Sequence, residues 1–275
     1  MICFDVPLCI VAAFLVLTLV VGIYFSRQKP TFRQYAVGNK DFATPTLVAT
    51  VLATQFGGSA LIRDIECVHD KGLWWIVCAL LCALSFLIYT KLALRMGPFM
   101  QHLSMAETIG SIYGKYPRVM ATLISICNCV VLVTMQINII AKAITMCLGV
   151  MDPRLITIFA TLLLIFYSTF GGIRSVTFTD VLQFITFSFI IPLLSWFIFV
   201  KVGKPFPTIF SILQNQDKFQ FSSLFHFNAH LVSMLLLVLG GAAYISPSLI
   251  QRIYMASDTI QARNVFTYAT FLILL

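Results

Sequence analysis

Apolar runs long enough to cross a bilayer limit the possible folds of this chain more strongly than any other feature. A hydrocarbon core of about 30 Å takes about 20 mostly uncharged helical residues to cross. Such runs occupy about 7–26, 43–62, 73–94, 119–148, 155–171, 181–202 and 230–250, with an eighth beginning near 264. In lipid every backbone amide must be satisfied within its own segment, so runs of this kind fold as helices. Composition agrees: 60% of the 275 residues are hydrophobic and 10% charged, against about 25% charged in an ordinary soluble domain. The expected class is an all-α polytopic membrane protein. The first run reads as a retained helix rather than a signal peptide, because "MICFDVP" carries Asp5 and no Lys or Arg and the stretch from Leu8 to Tyr24 outruns a signal core.

A formal charge of +8 would suit nucleic acid if the basic residues were clustered. They are instead divided by the loops. Taken alternately, one side holds Arg27, Lys29, Arg33, Lys40, Lys91, Arg95, Lys115, Arg118, Arg174, Arg252 and Arg263, and the other Arg63, Lys71, Lys142, Arg154, Lys201, Lys204 and Lys218. The positive-inside rule puts the richer set in the cytoplasm and the N-terminus outside, in a multi-pass protein of the cell (inner) membrane. No nucleic-acid partner is expected. Nor is an enzyme: the chain has no phosphate-cradling Gly-rich loop, no HExxH and no GxSxG. Its eight cysteines form no CxxC pair and lie mostly in apolar runs, where they serve as small hydrophobes.

Against this background the polar interruptions carry the information. "TFGGIRSVTFTDVLQF", Thr169 to Phe184, sets Gly171 and Gly172 at the end of one run. Asp180 followed by Gln183 matches a helix N-cap and its N3 partner. Capping needs only one such residue, yet Thr177 and Thr179 stand beside the carboxylate, and oxygen clusters of this kind suit a hard cation. Capping and ion handling both remain open on the residues alone. Gly57 and Gly58 interrupt the second run, and Gly240, Gly241 and Pro247 interrupt the seventh. Paired interruptions point to a transport site, with kinking or close helix packing as the alternative. In the fourth run Asn128, Asn138, Lys142 and Thr145 share a face at about 100° per residue. The asparagines line a cavity or bond between helices, and Lys142 snorkels outward.

Four segments, in order, resemble the sodium:solute symporter family. "FRQYAVGNKDF" (Phe32 to Phe42) is similar to its Tyr-x-x-Gly entry, and "ATQFGG" (Ala53 to Gly58) to the break in its first core helix. "FGGIRSVTFTDVLQ" is similar to its GG…TD…Q stretch, and "SPSLIQRIYMASDTIQAR" (Ser246 to Arg263) to its Pro…Gln-Arg…Ala-Arg stretch, here with Gln251 and Arg252. The resemblance implies a leucine-transporter-like inverted-repeat fold in a single transmembrane domain, 1–275. Residues 1–42 would be a leading helix and cytoplasmic loop, 43–202 the first five-helix repeat and 203–275 an incomplete start of the second.

It also implies sodium-coupled symport of a small organic solute, an amino acid such as proline, with sodium as the coupling ion and no other cofactor. Thr50 and Ala53 would ligate sodium through main chain, with Thr54 beside them and Thr179 and Asp180 on its pathway. Gln55, Gly57, Gly58, Asn128, Asn138, Gly240 and Gly241 would line the substrate cavity, although Gln55 is as well suited to bonding a neighbouring helix. Gly171, Gly172, Gln183, Gln251 and Arg252 would form a cytoplasmic motif.

The chain departs from the family pattern in "LIRDIECVHDKG", where Arg63, Asp64 and Glu66 either pair at an outer vestibule or record relaxed selection. The last run, Asn264 to Leu275, has twelve residues, about 18 Å of helix. Truncation after the first repeat and the start of the second is therefore expected, with the sodium-completing hydroxyls of the eighth core helix beyond Leu275 and a separately encoded C-terminal half as a candidate partner, besides solute, sodium and the lipid bilayer. The alternatives to symport are a membrane sensing module of a signalling protein and an inactive fragment of a split or decaying gene.

Overall fold

The structure is a computed structural model that describes residues 31–148, 153–220, 222 and 246–274, with positions 9, 13, 16, 17, 19–21 and 24 of the first apolar run. Among the described residues ten α-helices are delimited: α1 (Phe32–Val37), α2 (Thr44–Gln55), α3 (Gly58–Lys71), α4 (Leu73–Arg95), α5 (Met105–Tyr113), α6 (Lys115–Leu148), α7 (Pro153–Val202), α8 (Phe206–Gln214), α9 (Pro247–Met255) and α10 (Thr259–Leu274). Among the described residues there is no strand. Most of the first and seventh apolar runs, Gly240 and Gly241 included, lie outside them.

The molecule is an all-α polytopic membrane protein. Leu73–Arg95, Lys115–Lys142 and Gly172–Val202 are each long and apolar enough to cross a bilayer, and Thr44–Gln55 with Ala60–Lys71, bent by 52°, meet that test only together, as a broken span or a re-entrant loop. The second apolar run thus breaks where its glycines stand and continues as helix to Lys71, beyond the expected end near 62. The fifth and sixth runs form one helical stretch, α7, broken only at Gly172 (φ 57°, ψ −165°).

That geometry corrects the expected N-cap at Asp180. The backbone of Gly172 makes the turn and the helix resumes at once, so Asp180 lies two turns inside the second arm.

The core forms where α1, α2, α4, α9 and α10 meet. Every residue of α2 from Leu47 to Ala53 is buried, as expected for a helix apolar on all sides. Along α4 and α10 the rings of Tyr89 and Phe266 stack at 5.2 Å and 15°, with Phe86 against both. By contrast α6 and the second arm of α7 present exposed apolar side chains, among them Leu123, Ile124, Val130, Phe189, Leu193 and Trp196, faces matched to lipid.

Loops assigned to one side by their charge meet at one end. Lys40 Nζ donates to the Met100 carbonyl at 2.7 Å, Arg33 bonds Gln101, and Arg174 pairs with Asp41 at 3.4 Å. Burial, reinforced by Arg33, pushes the pKa of Lys40 below its ordinary value. At the other end Lys218 Nζ donates to the His69 carbonyl at 2.6 Å. Here a Cβ on Gly72 (φ +63°) would lie 2.2 Å from the Lys218 carbonyl oxygen, so this turn is closed to any other residue.

Candidate functional site

Hydroxyl groups in these helices are mostly spent locally. Thr90, Thr122, Thr134, Thr177, Thr186, Ser188 and Ser195 each donate to the carbonyl four residues back, the ordinary way to hide a hydroxyl in an apolar medium. Thr50 does otherwise: fully buried in α2, it donates across to the carboxylate of Asp180 on α7.

The spacing of α7 aims Asp180 there. Ile173, Thr177, Asp180 and Phe184 recur at helical intervals, and all four turn inward, so the carboxylate rides on the core-facing stripe. A carboxylate in that position needs a counter-charge, and α9 supplies it. Arg252 Nη2 donates to Asp180 Oδ2 at 2.9 Å and lies 3.3 Å from Thr54 Oγ1, with side-chain exposures of 7% for Arg252 and 13% for Asp180. Thr54 in turn donates to the Thr50 carbonyl at 2.7 Å. Three helices thus converge on one ion pair and two hydroxyls beside the end of α2.

That end is irregular. Gln55 closes α2, Phe56 turns (φ −101°, ψ 44°) with its amide on the Leu52 carbonyl at 2.8 Å, and Gly57 precedes α3, which starts at Gly58. A helix end leaves the carbonyls of its last turn without intrahelical partners, and Ala53 lies in that turn. Thr54 is exposed at this end, whereas Ala53 is buried and Gln55 half-buried. The cluster is therefore reachable along Thr54, and its donors are hard oxygens and one guanidinium. It can hold a small cation or a carboxylate's counter-ion.

Thr50, Thr54 and Asp180, drawn from two separate sequence motifs, come together here, with Ala53 in the same stretch of α2. Thr179 is buried, but its hydroxyl goes to the Val176 carbonyl at 2.8 Å. Asn128 is half-buried on α6, and Asn138 and Lys142 are exposed there. Gln183 is half-buried on α7, and Gly171 immediately precedes the break. Arg63 pairs with Asp64 at 3.3 Å on the exposed part of α3.

Arg252, grouped by sequence with a cytoplasmic motif, pairs with Asp180 in the buried cluster. Gln251 on the same helix donates its side-chain amide to the Ala36 carbonyl at 2.8 Å. Sequence reasoning also missed a buried relay in which Tyr254 Oη meets Thr108 Oγ1 at 2.6 Å and Thr108 meets His102 Nδ1 at 2.9 Å. Its sole advance signal was a tyrosine two residues after the Gln-Arg pair.

Comparison with known proteins agrees with the four motifs. No curated protein matches the chain. The family model described as Sodium:solute symporter family matches residues 35–275, a span that takes in the Tyr35 segment, the α2 break, the Gly172 break and the Asp180–Arg252 pair. The chain belongs to the sodium:solute symporter family.

Proposed function

We propose that this chain is the membrane body of a sodium-coupled symporter, taking up a small organic solute, an amino acid such as proline, down an inward sodium gradient. Members of the family are transporters, and the observation that carries the reading to specific residues is the buried meeting of Thr50, Thr54 and Asp180 beside the helix break. On this reading sodium passes Asp180 and Thr179 and rests near Thr50 and Ala53, drawing on main-chain carbonyls of the broken helix. Solute lies across the break near Gln55, Gly57 and Gly58, and Asn128 and Asn138 are the further cavity residues of this reading. Residues 43–202 act as the first repeat, and the protein sits in the cell membrane with the Lys40–Met100 end in the cytoplasm.

The test is uptake in proteoliposomes under an inward sodium or choline gradient, with a panel of labelled amino acids that includes proline. Accumulation should require sodium, and Asp180→Asn should lower its initial rate at least about tenfold, the effect of losing roughly 1.4 kcal/mol of stabilisation at the rate-limiting step. Equal uptake under choline would sink the reading.

A further inference from the structure

The Asp180–Arg252 pair is oddly incomplete for a structural brace. Nη2 of Arg252 is shared between Asp180 and Thr54, Nη1 reaches only the Met255 sulfur at 3.4 Å, and the buried Nε has no hydrogen-bond partner. A buried ion pair holds a fold well only when its remaining donors are satisfied, and apolar replacements often do as well. An under-bonded guanidinium on a buried carboxylate is better suited to exchange than to bracing.

The surroundings fit exchange. Thr50 Oγ1, Asp180 Oδ2 and Thr54 Oγ1 are hard oxygens gathered around one positive group, and exposed Thr54 offers an approach. A small cation uses the same oxygens and cannot share the carboxylate with Arg252 without like-charge repulsion.

We infer that Arg252 is a tethered counter-cation: it occupies Asp180 when the site holds no ion, and an arriving sodium displaces it. This rests on the sodium-coupled reading above. Since Arg252 is how α9 holds both α2 and α7 through polar contacts at this point, its displacement loosens α9 from both. Ion arrival and helix release become one event, with Arg252 as a positioning residue.

The experiment follows the thermal unfolding midpoint of the full chain in nanodiscs, titrated with sodium chloride against choline chloride at constant ionic strength. Arg252→Gln removes the competitor and should lower half-saturating sodium at least tenfold. Arg252→Lys keeps the charge on a shorter side chain without the guanidinium's planar donor set, and should lower it about threefold. Asp180→Asn combined with Arg252→Gln leaves no buried charge and should abolish the response. An unchanged half-saturation in Arg252→Gln overturns the inference. If that variant does not fold, an unchanged value in Arg252→Lys does so instead. Uptake is read separately: a sodium-driven transporter without the Arg252→Gln shift loses the counter-cation alone. A chain that gains sodium affinity in Arg252→Gln but never accumulates solute keeps the counter-cation and loses symport.

Discussion

The triplet Phe-Gly-Gly occurs twice, at 56–58 and at 170–172, and each copy marks a break in a long helical run, yet the two breaks are built on different physics. At the first, Gly57 takes φ −64° and ψ 161°, extended backbone that any residue can adopt. At the second, Gly172 takes φ 57° and ψ −165°, a region essentially reserved for glycine. A Cβ there would also lie 2.8 Å from Tyr35 Cδ2 and 3.3 Å from the Tyr35 carbonyl oxygen. One tripeptide therefore encodes an obligatory glycine in one place and an optional one in the other. What decides is the neighbour: α1 is pressed onto Gly172, its Tyr35 hydroxyl donating to the Thr169 carbonyl at 3.1 Å.

The largest expected effect follows directly. Gly172→Ala should destabilise the fold by about 2–4 kcal/mol, combining backbone strain with the clash against Tyr35, read as a lowered unfolding midpoint in detergent. Adding Tyr35→Ala should recover part of that loss, because the ring clash disappears while the strained φ and the carbonyl contact remain. A strictly additive double mutant would show that the two residues do not meet as described.

Those contrasts also explain what could be read before the fold was known. Helices and their lipid-facing character follow from apolar length, and the break after Gln55 is flagged by its glycines. The misreading of Asp180 came from spacing, because Asp-x-x-Gln is a capping pattern wherever it falls. A cap is superfluous when a left-handed glycine eight residues earlier has already restarted the helix. The partnership of Arg252 with Asp180 joins residues 72 positions apart, and no local periodicity encodes it. A lone arginine in the apolar turn "LIQRIYM" said only that some partner must exist. Thr50 and Thr54 stand four apart, so their shared face was legible, but not which hydroxyl would leave its own helix.

A smaller effect tests how much the side chain of Tyr35 contributes to the second break. Tyr35→Phe keeps the ring against Gly172 and removes one hydrogen bond to the Thr169 carbonyl. The expected cost is about 0.5–1 kcal/mol, at the low end because Tyr35 is 38% exposed. A loss as large as that of Gly172→Ala would mean that the hydroxyl, and not glycine's backbone freedom, sets the geometry there.

The smallest stability change is expected at the first triplet, and there it is most informative. Gly57→Ala places a methyl group at a backbone conformation alanine adopts freely, and it narrows the unfolded ensemble, so the unfolding free energy should stay within about 0.5 kcal/mol of the parent. Uptake should respond differently. Gly57 lies between the end of α2 and the start of α3, the break at which the proposed ion and solute pass. A variant with an unchanged midpoint and a reduced sodium-dependent rate would separate the two glycines by role, Gly172 holding the fold and Gly57 keeping a path open. Were Gly57→Ala instead to lower the midpoint as far as Gly172→Ala, the first break would be a folding constraint like the second, and its assignment to the transport path would lose its physical basis.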